Sequence, residues 1–144
     1  MKSVLRAGLG VLLGMGLSFV LVIAVEAFSS VVHPIPADFQ GTMDEMCQHV
    51  ARYPHWVLGV VVVLWSAIAF GGVWTASRVG NLAAGITVTL QLGVAIVFNV
   101  TQLPYPLWFK IVMLSCFPVG CFFGIKTAIH VEGRDRASSG QMSI

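Results

Sequence analysis

Few residues in this chain combine the types and spacing that chemistry needs. Glu45 and His49 stand four apart, so a helix would set them on one face. Asp44, Cys47 and His55 lie nearby in sequence. Carboxylate, imidazole and thiolate are donors for zinc or copper, but such a site takes three or four convergent ligands. Only one pair here has a defined spacing, and Glu45 is also wanted by a helix cap, so no metal ligand is assigned. A second group is Glu26, His33, His55, Asn99 and Gln102, which could form a polar layer beneath one loop. Ionisable groups in apolar segments often mark function, and a carboxylate at a water boundary is the plainer reading. Gln91 stands alone in the middle of an apolar run. Its amide could contact a substrate or ion, or could bond across to another helix, to a carbonyl or to a hydroxyl such as Ser18 or Ser66. The second use is the commoner one.

No catalytic or cofactor-binding residue is assigned. Serine, histidine and aspartate never fall into a triad pattern, and no glycine loop is built to cradle phosphate. No cofactor is expected. A formal charge of +2, with no basic stripe, gives no reason to expect nucleic acid.

The elements that must position these residues are four greasy segments. The composition is 57% hydrophobic and 10% charged, against about 25% charged for a soluble domain. A chain of 144 residues cannot hide that much apolar surface from water by packing alone. A bilayer core takes about 20 apolar residues per helix. Spans are predicted at Ala7–Ala27, Trp56–Ala76, Leu82–Gln102 and Leu107–Ile125. Trp56 and Trp74 are separated by about 27 Å of helix, the distance between two interfacial aromatic belts. Trp108 and Lys126 bracket the last span in the same way.

The expected fold is all-α: an up-down bundle of four transmembrane helices over residues 1–130, with a polar tail at 131–144 that should be disordered. The long loop from Phe28 to His55 is its largest soluble part. Thr42-Met43-Asp44-Glu45 reads as a capping box, and Met43, Met46, Cys47 and Val50 then recur at helical spacing. A short amphipathic helix is predicted from Met43 to Arg52, stopped by Pro54. Small-residue stripes should bring the spans together: Gly10, Gly14 and Ser18; Ser66, Ala69, Gly72 and Ala76; Cys116, Gly120 and Gly124. Exposed parts of the first and last stripes would serve an interface. The polar stripe Thr87, Gln91, Ala95, Asn99 and Gln102 on the third span should face inward. Pro118 should kink the fourth.

Lys2, Arg6, Arg78, Lys126, Arg134 and Arg136 fall at one end of this scheme, and only Arg52 and Lys110 at the other. The positive-inside tendency then puts both termini in the cytoplasm and the first loop outside. A rival for the first span is a cleaved signal peptide. The run is long for a signal core, and Glu26 beside the cut is unfavourable.

Two stretches resemble a widespread group of small, uncharacterised bacterial four-span membrane proteins. One is Leu64-Trp65-Ser66-Ala67-Ile68-Ala69-Phe70-Gly71-Gly72-Val73-Trp74-Thr75-Ala76-Ser77-Arg78. The other is Phe98-Asn99-Val100-Thr101-Gln102-Leu103-Pro104-Tyr105-Pro106-Leu107-Trp108-Phe109, followed by Pro118 and Gly120. Members of that group often carry histidine between the two prolines, where this chain has Tyr105. The resemblance covers about half the chain. It implies four spans in a bacterial inner membrane, and it brings no activity and no site residue.

The functional expectation is a non-enzymatic membrane protein that packs against itself or a larger membrane partner within the lipid bilayer. The alternatives are a small oligomeric carrier or channel using Gln91, Asn99 and Glu26, and a metal-binding protein or enzyme at the loop face.

Overall fold

The computed structural model describes residues 2–141, with side chains through Arg134. It holds five helices: α1 Lys2–Val32, α2 Met43–Ala51, α3 His55–Val79, α4 Leu82–Gln102 and α5 Leu107–Gln141. No strand occurs among the described residues. Four of the helices are long and apolar enough to cross a membrane, so the chain is a multi-pass membrane protein.

Their surfaces support this physically. Leu12, Val63 and Val94 sit at mid-helix with about two thirds or more of their surface open. A soluble helix hides such residues on one stripe, whereas lipid-facing helices are apolar around their whole circumference.

α3 is the hub. It packs along α1 on one flank and α5 on the other, and against α4 as well, while the α1 and α5 backbones stay apart among the described residues. The cross-section is therefore a diamond with α3 and α4 on its short diagonal. The small-residue stripes make this possible. A Cβ added at Gly10 would lie 2.6 Å from the Gly80 Cα, and one at Gly14 would lie 2.6 Å from the Gly72 carbonyl oxygen. On the other flank, a Cβ at Gly120 would lie 2.7 Å from the Ser66 carbonyl oxygen, and one at Gly124 2.8 Å from that of Phe70. Gly85 of α4 likewise leaves room for the Ser77 hydroxyl of α3. Both glycine stripes are thus used up inside one chain. They do not form the exposed interface that the sequence suggested.

The connections follow from local chemistry. Gly80 ends α3, and Asn81 caps α4 by accepting from the Ala84 amide at 3.0 Å. Arg6 Nε donates to the Val79 carbonyl at 2.9 Å and so ties the start of α1 to the same corner. Leu103 is extended because a proline follows it. Pro106 then leads into α5, whose interior holds Pro118 without breaking. α1 packs closely along α3 through Gly10, Gly14 and Ser18.

Two expectations need correction. α5 does not stop at Ile125 but stays helical to Gln141, through the segment read as a disordered tail. Lys126 to Gln141 contains no proline and many good helix formers, and its one early glycine, Gly133, costs only about 1 kcal/mol. The polar stripe of α4 is not inward either. α4 buries Ala84, Gly85, Val88, Leu92, Ile96 and Val100, while Thr87, Gln91, Ala95, Asn99 and Gln102 are all exposed. The apolar line fits the close-packed seam beside α3, and the bulkier amides cannot.

Gly14→Val should therefore lower the stability of the purified protein by at least about 2 kcal/mol, the usual cost of overpacking. Gly16, on the same helix with nothing within 4 Å of its added Cβ, should accept valine with a change under about 0.5 kcal/mol. Denaturation of both variants in the same detergent checks the contrast.

Candidate functional site

At the α2 end of the bundle the four long helices part around a cavity of about 280 Å³. α1 supplies Val25, Glu26 and Ser29, α3 supplies Leu58 and Trp65, α4 supplies Asn99, and α5 supplies Phe109 and Met113. Trp65 lies ten residues into α3, so the cavity reaches about 15 Å down from that end.

α2 covers one side of it. Thr42 accepts from the Glu45 amide, and Glu45 Oε2 accepts from the amides of Thr42 and Gln40 at 3.1 and 3.0 Å. The backbone amide of Thr42 is the main reason the Glu45 carboxyl is held below its ordinary value. Gly41, with φ of 82°, permits the turn into this cap. The helix then aims Met46, His49 and Val50 at the cavity, whereas Met43 stays exposed.

A cluster of three rings fastens α2 in place. His33 stacks on His49 with centroids 4.3 Å apart, and Tyr53 lies 4.6 Å from His33 and 5.5 Å from His49. His33 Nε2 is 3.2 Å from the His49 carbonyl oxygen. A carbonyl only accepts, so this hydrogen bond requires the proton on Nε2. Burial lowers the His49 pKa, and the nearby His33 and Arg52 lower it further. The cluster is therefore built on a neutral His49.

Two tyrosines complete the cavity wall. Tyr105, in the turn between α4 and α5, packs on Phe109 with ring centroids 4.6 Å apart. Burial, then the proximity of Tyr53 and Glu26, pushes its hydroxyl up to about 12. Tyr53 is also raised, by burial first, with Glu26 adding and a hydrogen bond to Ser29 opposing. Glu26 is thus close enough to act on both phenols, and among the described residues it has no ion-pair or hydrogen-bond partner.

Of the sequence-derived candidates, Glu26 and Asn99 meet in this cavity, and His33 sits above it in the ring cluster. His55 lies apart, beside the Trp108 ring at a centroid distance of 5.8 Å. Gln102 is exposed beyond the cavity, and Gln91 is exposed on α4. Asp44, Glu45, Cys47, His49 and His55 do not converge: among the described residues no three such side chains could share a metal ion. Tyr53, Tyr105, Trp65 and Ser29 were not singled out as site residues. Tyr105 had a signal, since it stands between the two prolines that force the α4–α5 turn.

Gln91 differs from several hydroxyls of the spans. Ser18, Ser66, Thr87, Thr89, Thr101 and Ser115 each donate to a carbonyl one turn back on their own helix. No hydrogen bond joins Ser18 or Ser66 to Gln91, which is exposed on α4. The amide has no partner among the described residues, and it lies about 14 Å and about 16 Å along α4 from its two ends.

No family model, curated protein or solved structure matches this chain.

Both tyrosines should titrate late in the purified protein. Their raised values mean that the stability they contribute is intact below the ordinary phenol value of about 10. The share of Tyr105 is lost as the pH climbs to about 12, and that of Tyr53 is lost above the ordinary value as well. Tyrosinate absorbance against pH should show both phenols titrating late, and Tyr105→Phe should remove one of the two steps. His49 carries the opposite sign. Its lowered pKa gives stability that is present above about 6.5 and lost on acidification. Denaturation in detergent should show lower stability at about pH 5 than at neutral pH, with a smaller drop in His49→Gln.

Proposed function

We propose that this is a non-enzymatic membrane protein that acts by lateral association, with α4 of one copy packed on α4 of a second. The observation that carries this reading is the Gln91 amide, exposed at mid-depth with no partner among the described residues. An unsatisfied polar group in hydrocarbon costs several kcal/mol. An amide both donates and accepts, so two copies related by a two-fold axis along the membrane normal bring Gln91 to Gln91 at the same depth and satisfy both. Ala95 and Thr87, one turn to either side and also exposed, are small enough for the helices to approach.

The glycine stripes support this by exclusion, because they are spent within the chain. A carrier working through one copy is disfavoured by the same geometry, since Gln91 lies outside the cavity that holds Glu26 and Asn99. The basic residues Lys2, Arg6, Arg78, Lys126 and Arg134 cluster at the end away from α2. We therefore infer a cytoplasmic location for both termini and an extracytoplasmic α2, in a bacterial inner membrane as the resemblance implies.

In a background free of native cysteines, Gln91→Cys should form a disulfide-linked dimer in membranes under mild oxidation. Leu12→Cys, on the exposed face of α1, should not. Gln91→Leu should weaken the dimer by about 1–2 kcal/mol, the usual worth of an interhelical hydrogen bond in lipid. Cross-linking to a heavier foreign protein would instead identify a larger membrane partner, and a monomer under every condition would overturn the reading. For topology, a reporter fused after Ile144 should be active only on the cytoplasmic side.

A further inference from the structure

The cavity at the α2 end has a chemical character that lateral association does not use. Glu26 is the only carboxylate on its wall among the described residues, and no described cation pairs with it. Facing it are the rings of Tyr53, Tyr105, Trp65 and Phe109, with the Asn99 amide beside them. Aromatic faces carry partial negative charge and attract cations, most strongly when water is excluded. One carboxylate among such rings is a site for a positive charge with an apolar body.

A metal ion fits poorly. Calcium takes six to eight oxygens and magnesium near-ideal octahedral oxygen ligation, and the wall offers only one carboxylate with an amide and hydroxyls. The volume of about 280 Å³ falls just under the usual range for small-molecule pockets, so the ligand must be small. Tyr105 keeps its proton up to about 12, so its hydroxyl remains a donor and its ring stays uncharged at every physiological pH.

We propose that this cavity binds a small organic cation of the alkyl- or arylammonium class, with its charge beside Glu26 and its body against Tyr53, Trp65 and Tyr105. The site lies within a single chain, so it stands whether or not α4 pairs with a second copy. Asn99 supplies a carbonyl for one ammonium proton, and Glu26 accepts another. Trp65 forms the floor and sets how long the apolar body can be.

The test is a titration of the purified full chain in detergent with phenethylammonium, read by calorimetry and by tryptophan fluorescence. Binding should saturate. Phenethyl alcohol, with the same body and no charge, should bind at least about tenfold more weakly, and Glu26→Gln should lose affinity for the ammonium by a similar factor. Potassium chloride at equal concentration should not compete. Trp65→Phe should keep binding but lose most of the fluorescence change. Absence of saturable binding, equal binding of the alcohol, competition by potassium, or unchanged affinity in Glu26→Gln would each overturn the proposal. The alcohol and potassium comparisons use the native protein, so they hold even if the variant folds poorly.

Discussion

At Gly10, Gly14, Gly120 and Gly124 one helix lies directly against the backbone of its neighbour. In lipid there is no hydrophobic force to drive helices together, because the tails are as apolar as leucine. Close contact must supply the attraction, and it works only where backbones can approach. α3 carries this contact on two flanks at once, which makes it the hub. The rest of the arrangement is a consequence. α1 and α5 are held by α3 rather than by each other, α4 closes the remaining side through Gly85 and Ser77, and the ends of the helices are left free to part around a cavity.

The spans were legible because each is a separate physical quantity: length, apolar content and bracketing residues such as Trp56 and Trp74. The third span matched its helix, Leu82–Gln102, at both ends. The capping box at Thr42 was legible because both of its hydrogen bonds are local. What failed was direction. The inward turn of the Gln91 stripe was inferred from the cost of an amide in hydrocarbon. That cost says only that a partner is needed, not that the partner lies in the same chain. The competing line Ala84, Val88, Leu92 and Ile96 took the seam because it packs more closely. The tail failed for a related reason: polar composition marks a segment as outside the membrane, and it does not prevent a helix from continuing.

The site was legible in part. Glu26 and Asn99 were marked by being polar near the ends of spans, and they do share a cavity. The tyrosines and Trp65 carry no such mark, because aromatic residues near a membrane interface are ordinary. Only the fold sets them around one carboxylate. His33 and His49, sixteen residues apart, meet because His33 closes α1 just where α2 returns over the bundle.

The unequal lengths of the helices also set how each sits in the membrane. α1 has 31 residues and α4 has 21, so α4 spans only about 31 Å while α1 reaches about 46 Å. A helix of α4's length matches a hydrocarbon core of about 30 Å and can stand upright in it, whereas one as long as α1 exceeds the core and must tilt or reach past the interface. The surplus length of α1 carries His33 clear of the apolar core, at the level where α2 returns over the bundle.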